Sequence, residues 1–168
     1  MADKTWTQKR IPQSAAALGY AGAIPFIVAS LLSWFPDPLV SEAAIVMLIG
    51  FSVVILSFMG GVRWGIATSL ESGPTFPQLT IAIVPAAVSW IAMILGSDMV
   101  GLGENAAAVQ LVLMIVAFIL LLLSDLQITR AGEAPDWYPG LRIPLTLLVE
   151  ASLIGALVKV IFYSPEIM

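Results

Sequence analysis

Five long apolar segments constrain this sequence more than any other feature, because each of them is long enough to cross a lipid bilayer. A transmembrane helix needs about 20 mainly apolar residues to span a hydrocarbon core of about 30 Å. The segments are rich in Leu, Ile, Val, Ala and Phe and lack the alternating pattern of a barrel strand. They cover approximately residues 14–34, 42–69, 77–95, 105–126 and 142–163. We therefore predict an all-α fold, a polytopic membrane bundle of five transmembrane helices.

The overall composition agrees with this prediction and excludes several classes of function. Of the 168 residues 60% are hydrophobic and only 11% are charged, whereas a soluble domain carries about 25% charged residues. The chain has no cysteine and no histidine, which removes disulfides, thiolate chemistry, His-ligated metals and Ser-His-Asp catalysis. The net charge of −4 argues against a nucleic-acid partner. We expect no cofactor and no metal.

The basic residues predict how the chain is threaded through the membrane. If the spans alternate, six of the seven basic residues fall on one side, and these are Lys4, Lys9, Arg10, Arg63, Arg130 and Arg142. Only Lys159 lies toward the other side. Cytoplasmic loops of membrane proteins carry an excess of Lys and Arg. We therefore expect residues 1–13 to form a cytoplasmic tail, residues 164–168 to form a periplasmic tail, and the protein to lie in a bacterial inner membrane.

Small residues in the second span predict where it packs against its neighbours. Ser57, Gly61 and Gly65 follow each other at four-residue spacing and so share one face of a helix. In lipid, close packing of small residues and polar contacts hold helices together, so we predict that these three residues form a helix-packing seam. Arg63 projects from the opposite side of the same helix. A helix with a seam on one side and a charge on the other should be enclosed, and we predict that the second span is central.

Three ionisable residues within the spans form a candidate intramembrane charge cluster. Arg63 lies 21 residues after the start of its span and Asp125 lies 20 residues after the start of the fourth, so both lie about 30 Å below the outer boundary. Glu150 lies eight residues into the fifth span. A charge at the bilayer centre costs about 2.5–3.5 kcal/mol on insertion scales. We expect Arg63 to pair with Asp125, with Glu150 or with both, and Glu150 is the candidate with the strongest claim to a role.

Weaker polar features are also distributed along the chain. Ser89, Gln110 and Thr146 are candidate donors of interhelical hydrogen bonds, each worth about 1 kcal/mol in lipid. The inner loop from 127 to 141 holds Trp137 and Tyr138 between two prolines, and Arg142 follows it. These three residues are candidates for a membrane-interface anchor or for a docking surface, since Trp, Tyr and Arg are common in protein interfaces.

Three segments together resemble those of a known family. They are Gly-Tyr-Ala-Gly-Ala-Ile-Pro-Phe at 19–26, Ser-Phe-Met-Gly-Gly-Val-Arg-Trp-Gly at 57–65, and Asp-Trp-Tyr-Pro-Gly-Leu-Arg-Ile-Pro-Leu at 136–145. The chain resembles a family of small multi-span proteins of unknown function from proteobacterial inner membranes, whose mitochondrial relatives are called transmembrane protein 69. The resemblance covers nearly the whole chain after the N-terminal tail. It implies an energy-transducing membrane as the setting and supplies no catalytic residue.

Two functional hypotheses follow from these features. The first is a non-enzymatic accessory or assembly subunit that packs against a larger membrane complex or another copy of itself, in contact with the lipid bilayer. The second is a small transporter or proton-coupled carrier that uses Arg63, Asp125 and Glu150 as a relay. An intramembrane enzyme is the least favoured class, because the chain shows no constellation of catalytic residues.

Overall fold

The computed structural model describes residues 10–163 and places five α-helices in them. Their bounds are α1 Gln13–Leu32, α2 Pro38–Thr68, α3 Phe76–Leu95, α4 Ala106–Arg130 and α5 Tyr138–Phe162. All five are long and apolar enough to cross a membrane, so the predicted fold class is confirmed. The side of the membrane on which each terminus lies stays a prediction. The C-terminal tail and the N-terminal tail up to residue 9, with Lys4 and Lys9, lie outside the described residues.

Local capping signals explain where the helices begin and end. α2 begins at Pro38 because the Asp37 side chain accepts a hydrogen bond from the backbone N–H of Leu39 at 2.9 Å, and proline is favoured in a first helical turn. α4 continues to Arg130 and is followed by Gly132 at φ +74°, a backbone conformation that suits glycine. α5 begins at Tyr138 with a proline in its first turn. The loop between α4 and α5 is therefore only residues 131–137, shorter than the sequence pattern indicates.

The helices form a closed ring in chain order, and two of them also pack against each other across its middle. Each helix packs against the next one along the chain, and α5 returns to pack against α1. α2 also packs against α4 across the ring. α2 and α4 thus each pack against three helices, and α2 shares with α4 the central position that we predicted for it alone. We call the side of the bundle on which α1 begins the N-terminal side.

The predicted seam of small residues on α2 does not face another helix of the bundle. Gly61 and Gly65 are exposed, and a Cβ atom added to either would have no atom within 4 Å. The glycine that packs closely is Gly60, where a Cβ would lie 2.6 Å from the carbonyl oxygen of Ala82 on α3. The seam therefore does not pack within this chain, and the reason is physical: Arg63 occupies the inward face of α2, which turns the opposite face, with the seam, outward.

Serine and glutamine side chains join the helices by hydrogen bonds in the interior. Ser89 donates to the carbonyl oxygen of Val53 at 3.1 Å, and Gln110 donates to that of Ala92 at 2.8 Å, so both predicted donors are confirmed. Ser30 on α1 donates to the carbonyl oxygen of Ser152 on α5 at 2.8 Å. Because these donors satisfy backbone carbonyls of neighbouring helices, they fix the helix positions in a medium without competing water.

Candidate functional site: a buried charge cluster

The charged side chains meet because three helices carry them at the same depth. Arg63 lies five residues before the end of α2, Asp125 lies five residues before the end of α4, and Arg142 lies four residues after the start of α5. At a rise of 1.5 Å per residue, all three lie about 6–8 Å from the helix ends at the N-terminal side of the bundle. The alternation of helix directions thus brings two arginines and one aspartate to one level.

Asp125 is the centre of the cluster. Its Oδ1 accepts a hydrogen bond from Nη1 of Arg63 at 3.1 Å, and its Oδ2 accepts one from Nε of Arg142 at 2.8 Å. The hydroxyl of Tyr138 donates to the same Oδ2 at 3.4 Å. We call these four residues the Asp125 cluster. It joins α2, α4 and α5 through a single carboxylate.

The cluster is deeply buried and carries an uneven charge. Asp125 is 1% exposed and both arginines are 7% exposed. Two guanidinium groups against one carboxylate leave a net charge of +1 among the groups in contact. Removing one partner of an ion pair that is this deeply buried strongly destabilises the folded protein, because the other charge stays buried without compensation. The arrangement is therefore sensitive to any loss of Asp125.

The structure places two of the three inner-loop candidates inside the bundle. Tyr138 and Arg142 belong to α5 and are 8% and 7% exposed, so neither side chain presents a docking surface on the exterior of the bundle. Trp137 is half-buried and contacts the ring of Tyr138 edge-on, with ring centroids 6.0 Å apart. The sequence pattern assigned Arg142 to the inner-loop candidates and missed its ion pair with Asp125. The proline in the first turn of α5 was the available signal, since it sets the helix start that brings Arg142 level with Asp125.

Glu150 lies apart from the cluster. It is 8% exposed, and neither of its carboxylate oxygens has a hydrogen-bond partner among residues 10–163. Arg63 thus pairs with Asp125, and no hydrogen bond or ion pair joins it to Glu150. Glu150 follows Arg142 by eight residues on α5, which separates their backbones by about 12 Å.

Three other buried polar atoms near the cluster also lack partners in the part of the chain that the structure describes. They are Nε of Arg63, Nη2 of Arg142 and Oγ1 of Thr146, so Thr146 does not make the interhelical hydrogen bond predicted for it. Arg142 and Thr146 are one turn apart on α5 and lie on the same face. Within residues 10–163 no three metal-ligating side chains come together.

The fold and the cluster define a polytopic α-helical membrane protein with a buried arginine–aspartate–arginine centre. Comparison with known proteins then places it in a family. The chain belongs to the family described as "Protein of unknown function (DUF3429)", which matches residues 11–158.

Curated relatives confirm the resemblance to the transmembrane protein 69 family that the three motifs indicate. Transmembrane protein 69 of Xenopus tropicalis is 35% identical over 159 residues, which cover 90% of this chain and 56% of that protein. Transmembrane protein 69 of Mus musculus is 27% identical over 157 residues, which cover 92% of this chain and 59% of that protein. The chain thus spans somewhat more than half the length of these relatives. No solved structure matches it.

Proposed function

We propose that the protein is a non-enzymatic accessory or assembly subunit that packs against a larger membrane complex, such as a respiratory or other energy-transducing complex. The observation that carries this proposal is the outward-facing seam of Ser57, Gly61 and Gly65 on α2. Exposed glycines lower helix stability by about 1 kcal/mol each relative to alanine. On the lipid-facing surface of a helix they allow the backbone of another helix to approach closely.

The surroundings of the seam fit a partner helix. Phe58 and Trp64 flank it and are 63% and 43% exposed, so large aromatic side chains stand beside a groove of small residues. On the inward side of the same helix, the ion pair of Arg63 with Asp125 holds α2 in a fixed position. A rigid helix that presents small residues between aromatic ones is a suitable surface for a single transmembrane helix of another subunit.

The proposed setting is a bacterial inner membrane with the N-terminus in the cytoplasm. Arg10 and Arg130 lie at the N-terminal side of the bundle, and the loops of the opposite side carry Asp37, Asp98 and Glu104 with no basic residue. This distribution supports the orientation, because basic residues remain on the cytoplasmic side during insertion.

Affinity purification after gentle detergent extraction, with quantitative mass spectrometry, tests the accessory role. We expect the wild-type chain to retain a stoichiometric membrane partner and the Gly61→Leu/Gly65→Leu double variant to lose it, because the leucines fill the groove. Ala87→Leu on α3 is the matched control, since Ala87 is also exposed on the bundle surface. A wild-type chain that purifies alone, or only as copies of itself, would contradict the proposal.

A second candidate function is a small transporter or proton-coupled carrier, and the buried carboxylate of Glu150, which has no partner among the described residues, favours it. Intramembrane carboxylates mark proton and ion pathways in many transporters. In liposomes that hold a pH-sensitive dye, a carrier relaying protons through Arg63, Asp125 and Glu150 would acidify the interior under an imposed potential. Glu150→Gln should abolish this flux, whereas Glu104→Gln in an exposed loop should preserve it. Equal flux in wild type, the Glu150 variant and empty liposomes would eliminate the carrier.

A further inference from the structure

A cleft between α1, α2 and α5 ends on two of the unpaired polar groups. Its volume is about 170 Å³, and its walls are mostly apolar, including Leu18, Gly22, Phe26, Ile55 and Phe58. Arg142 and Thr146 are the polar side chains in its lining. We call this space the α1–α5 cleft. A cavity of about 150 Å³ is enough to hold a benzene-sized apolar group, so the α1–α5 cleft accommodates part of one hydrocarbon chain.

The two polar groups in the lining are deeply buried and lack partners. Thr146 is 2% exposed and Arg142 is 7% exposed, and neither Oγ1 of Thr146 nor Nη2 of Arg142 has a hydrogen-bond partner among residues 10–163. Buried donors without acceptors are rare in folded proteins and cost free energy. A ligand that brings two oxygen acceptors, spaced by about one helical turn, would satisfy both groups.

The charge at this end of the cleft selects a negatively charged acceptor. Nε of Arg142 is already used by Asp125, which also neutralises part of the charge of Arg63. The cluster retains a net charge of +1, and Arg142 is the charged residue of the cluster that lines the cleft. The ion pair fixes the Arg142 guanidinium in place, so a ligand would not have to order a flexible side chain.

The depth of the groups matches the order of groups in a phospholipid. α5 has 25 residues and is about 37 Å long, so with a core of about 30 Å its first turn lies at headgroup level. Arg142 then lies near the boundary of the hydrocarbon core, and Thr146 lies about 6 Å deeper. Along α1 the cleft extends from Leu18, which is about level with Arg142, to Phe26, about 12 Å closer to the bilayer centre than Leu18. Along the cleft, the charge, the hydroxyl and the apolar walls therefore occur in the same order as the phosphate, the ester and the acyl chain of a phospholipid.

We propose that the α1–α5 cleft binds one anionic phospholipid from the leaflet at the N-terminal side of the bundle. Arg142 donates to the phosphate, Thr146 donates to an ester carbonyl, and part of one acyl chain lies against the apolar walls between α1 and α2. This site adjoins the outward-facing seam of α2 through Phe58, which flanks the seam and also lines the cleft, but it does not depend on the accessory role proposed above.

Native mass spectrometry of the delipidated full chain in detergent tests this site, with dioleoylphosphatidylglycerol as the probe. Dioleoylphosphatidylcholine and oleate are the comparison ligands. Gly22→Leu places a large side chain in the cleft, because Gly22 lies in its lining and a Cβ there meets open space. Ala21→Leu, on the exposed surface of the same helix, is the matched control. Thr146→Val replaces the hydroxyl by a methyl group and so removes the hydrogen-bond donor at nearly the same side-chain volume.

We expect the wild-type chain and Ala21→Leu to retain one phosphatidylglycerol. Gly22→Leu should weaken retention at least tenfold, and Thr146→Val should weaken it several-fold while raising the unfolding temperature, because an unpaired hydroxyl is removed. If Thr146 only stabilised the fold, its replacement would not weaken lipid retention while raising the unfolding temperature. Equal retention of phosphatidylcholine, tighter retention of oleate, or retention that neither Gly22→Leu nor Thr146→Val changes would overturn the proposal.

Discussion

At the scale of single residues, two buried carboxylates of this protein have opposite surroundings. Asp125 accepts hydrogen bonds from two arginines and a tyrosine, whereas Glu150 has no partner in residues 10–163. Sequence position alone favoured Glu150, because it has apolar neighbours on both sides and lies deeper in its span. The depth of a charged residue in its span indicates how much free energy its burial costs. The residues that pair with it come from other helices, however, and a single sequence does not reveal how those helices are rotated.

Replacing Asp125 should be among the most destabilising single substitutions in the chain. Asp125→Asn leaves the charges of Arg63 and Arg142 buried without a carboxylate, and loss of one partner of a buried ion pair costs about 3–5 kcal/mol. Thermal unfolding in detergent, followed by tryptophan fluorescence, should show a large decrease in the midpoint. Asp136→Asn in the exposed loop is the control and should leave the midpoint unchanged.

Replacing Glu150 should have the opposite effect on stability. Glu150→Met removes two buried oxygens that have no partners within residues 10–163 and keeps a side chain of similar length, and a buried unsatisfied group costs about 1–3 kcal/mol. The same fluorescence assay should show an increased unfolding midpoint. A decrease comparable to that of Asp125→Asn would mean that Glu150 has a stabilising partner in the folded protein.

At the scale of elements, α2 shows what the sequence pattern predicts and what it does not. Periodicity correctly places Ser57, Gly61 and Gly65 on one face and Arg63 on the opposite face. It does not say which face is inward. In lipid the apolar surface of a helix is stable on either side, so the buried charge decides the rotation. The close-packed glycine is consequently Gly60, next to the seam.

Two adjacent glycines of α2 should therefore respond in opposite directions to the same substitution. Gly60→Ala places a methyl group against the carbonyl oxygen of Ala82, and such overpacking costs about 1–3 kcal/mol. Gly61→Ala meets open space and should stabilise the helix by about 0.5–1 kcal/mol through its higher helix propensity. Unfolding titrations of both variants in mixed micelles measure this difference, and equal effects of the two substitutions would contradict the observed rotation of α2.

At the scale of the whole molecule, length and hydropathy were sufficient to predict five helices and their order. The residues at which the helices begin are harder to predict from the sequence. The apolar pattern begins α5 at Arg142, but the proline after Tyr138 begins it four residues earlier, and this difference moves Arg142 from the membrane interface into the Asp125 cluster. Ring closure of α5 on α1 and the contact of α2 with α4 depend on packing between distant segments, which hydropathy does not encode.

The predicted orientation also belongs to this scale, and the absence of cysteine from the sequence makes it simple to measure. Single cysteines at Ser72 and Asp98 lie in exposed loops on opposite sides of the bundle. In intact bacterial cells with a permeable outer membrane, a membrane-impermeant maleimide should label Asp98→Cys and should label Ser72→Cys only after lysis. The reverse pattern would invert the proposed orientation.

A double-mutant cycle on the Asp125 cluster tests most directly whether one aspartate joins α2, α4 and α5. The unfolding free energies of Asp125→Asn, Arg142→Gln and their double variant give the coupling energy between Asp125 and Arg142. The same cycle with Arg63→Gln gives the coupling energy between Asp125 and Arg63. We predict that each double variant is more stable than the sum of its single effects by about 1–3 kcal/mol, because removal of both partners leaves fewer uncompensated charges. Effects that add within about 0.5 kcal/mol for both pairs would show that the three side chains do not interact.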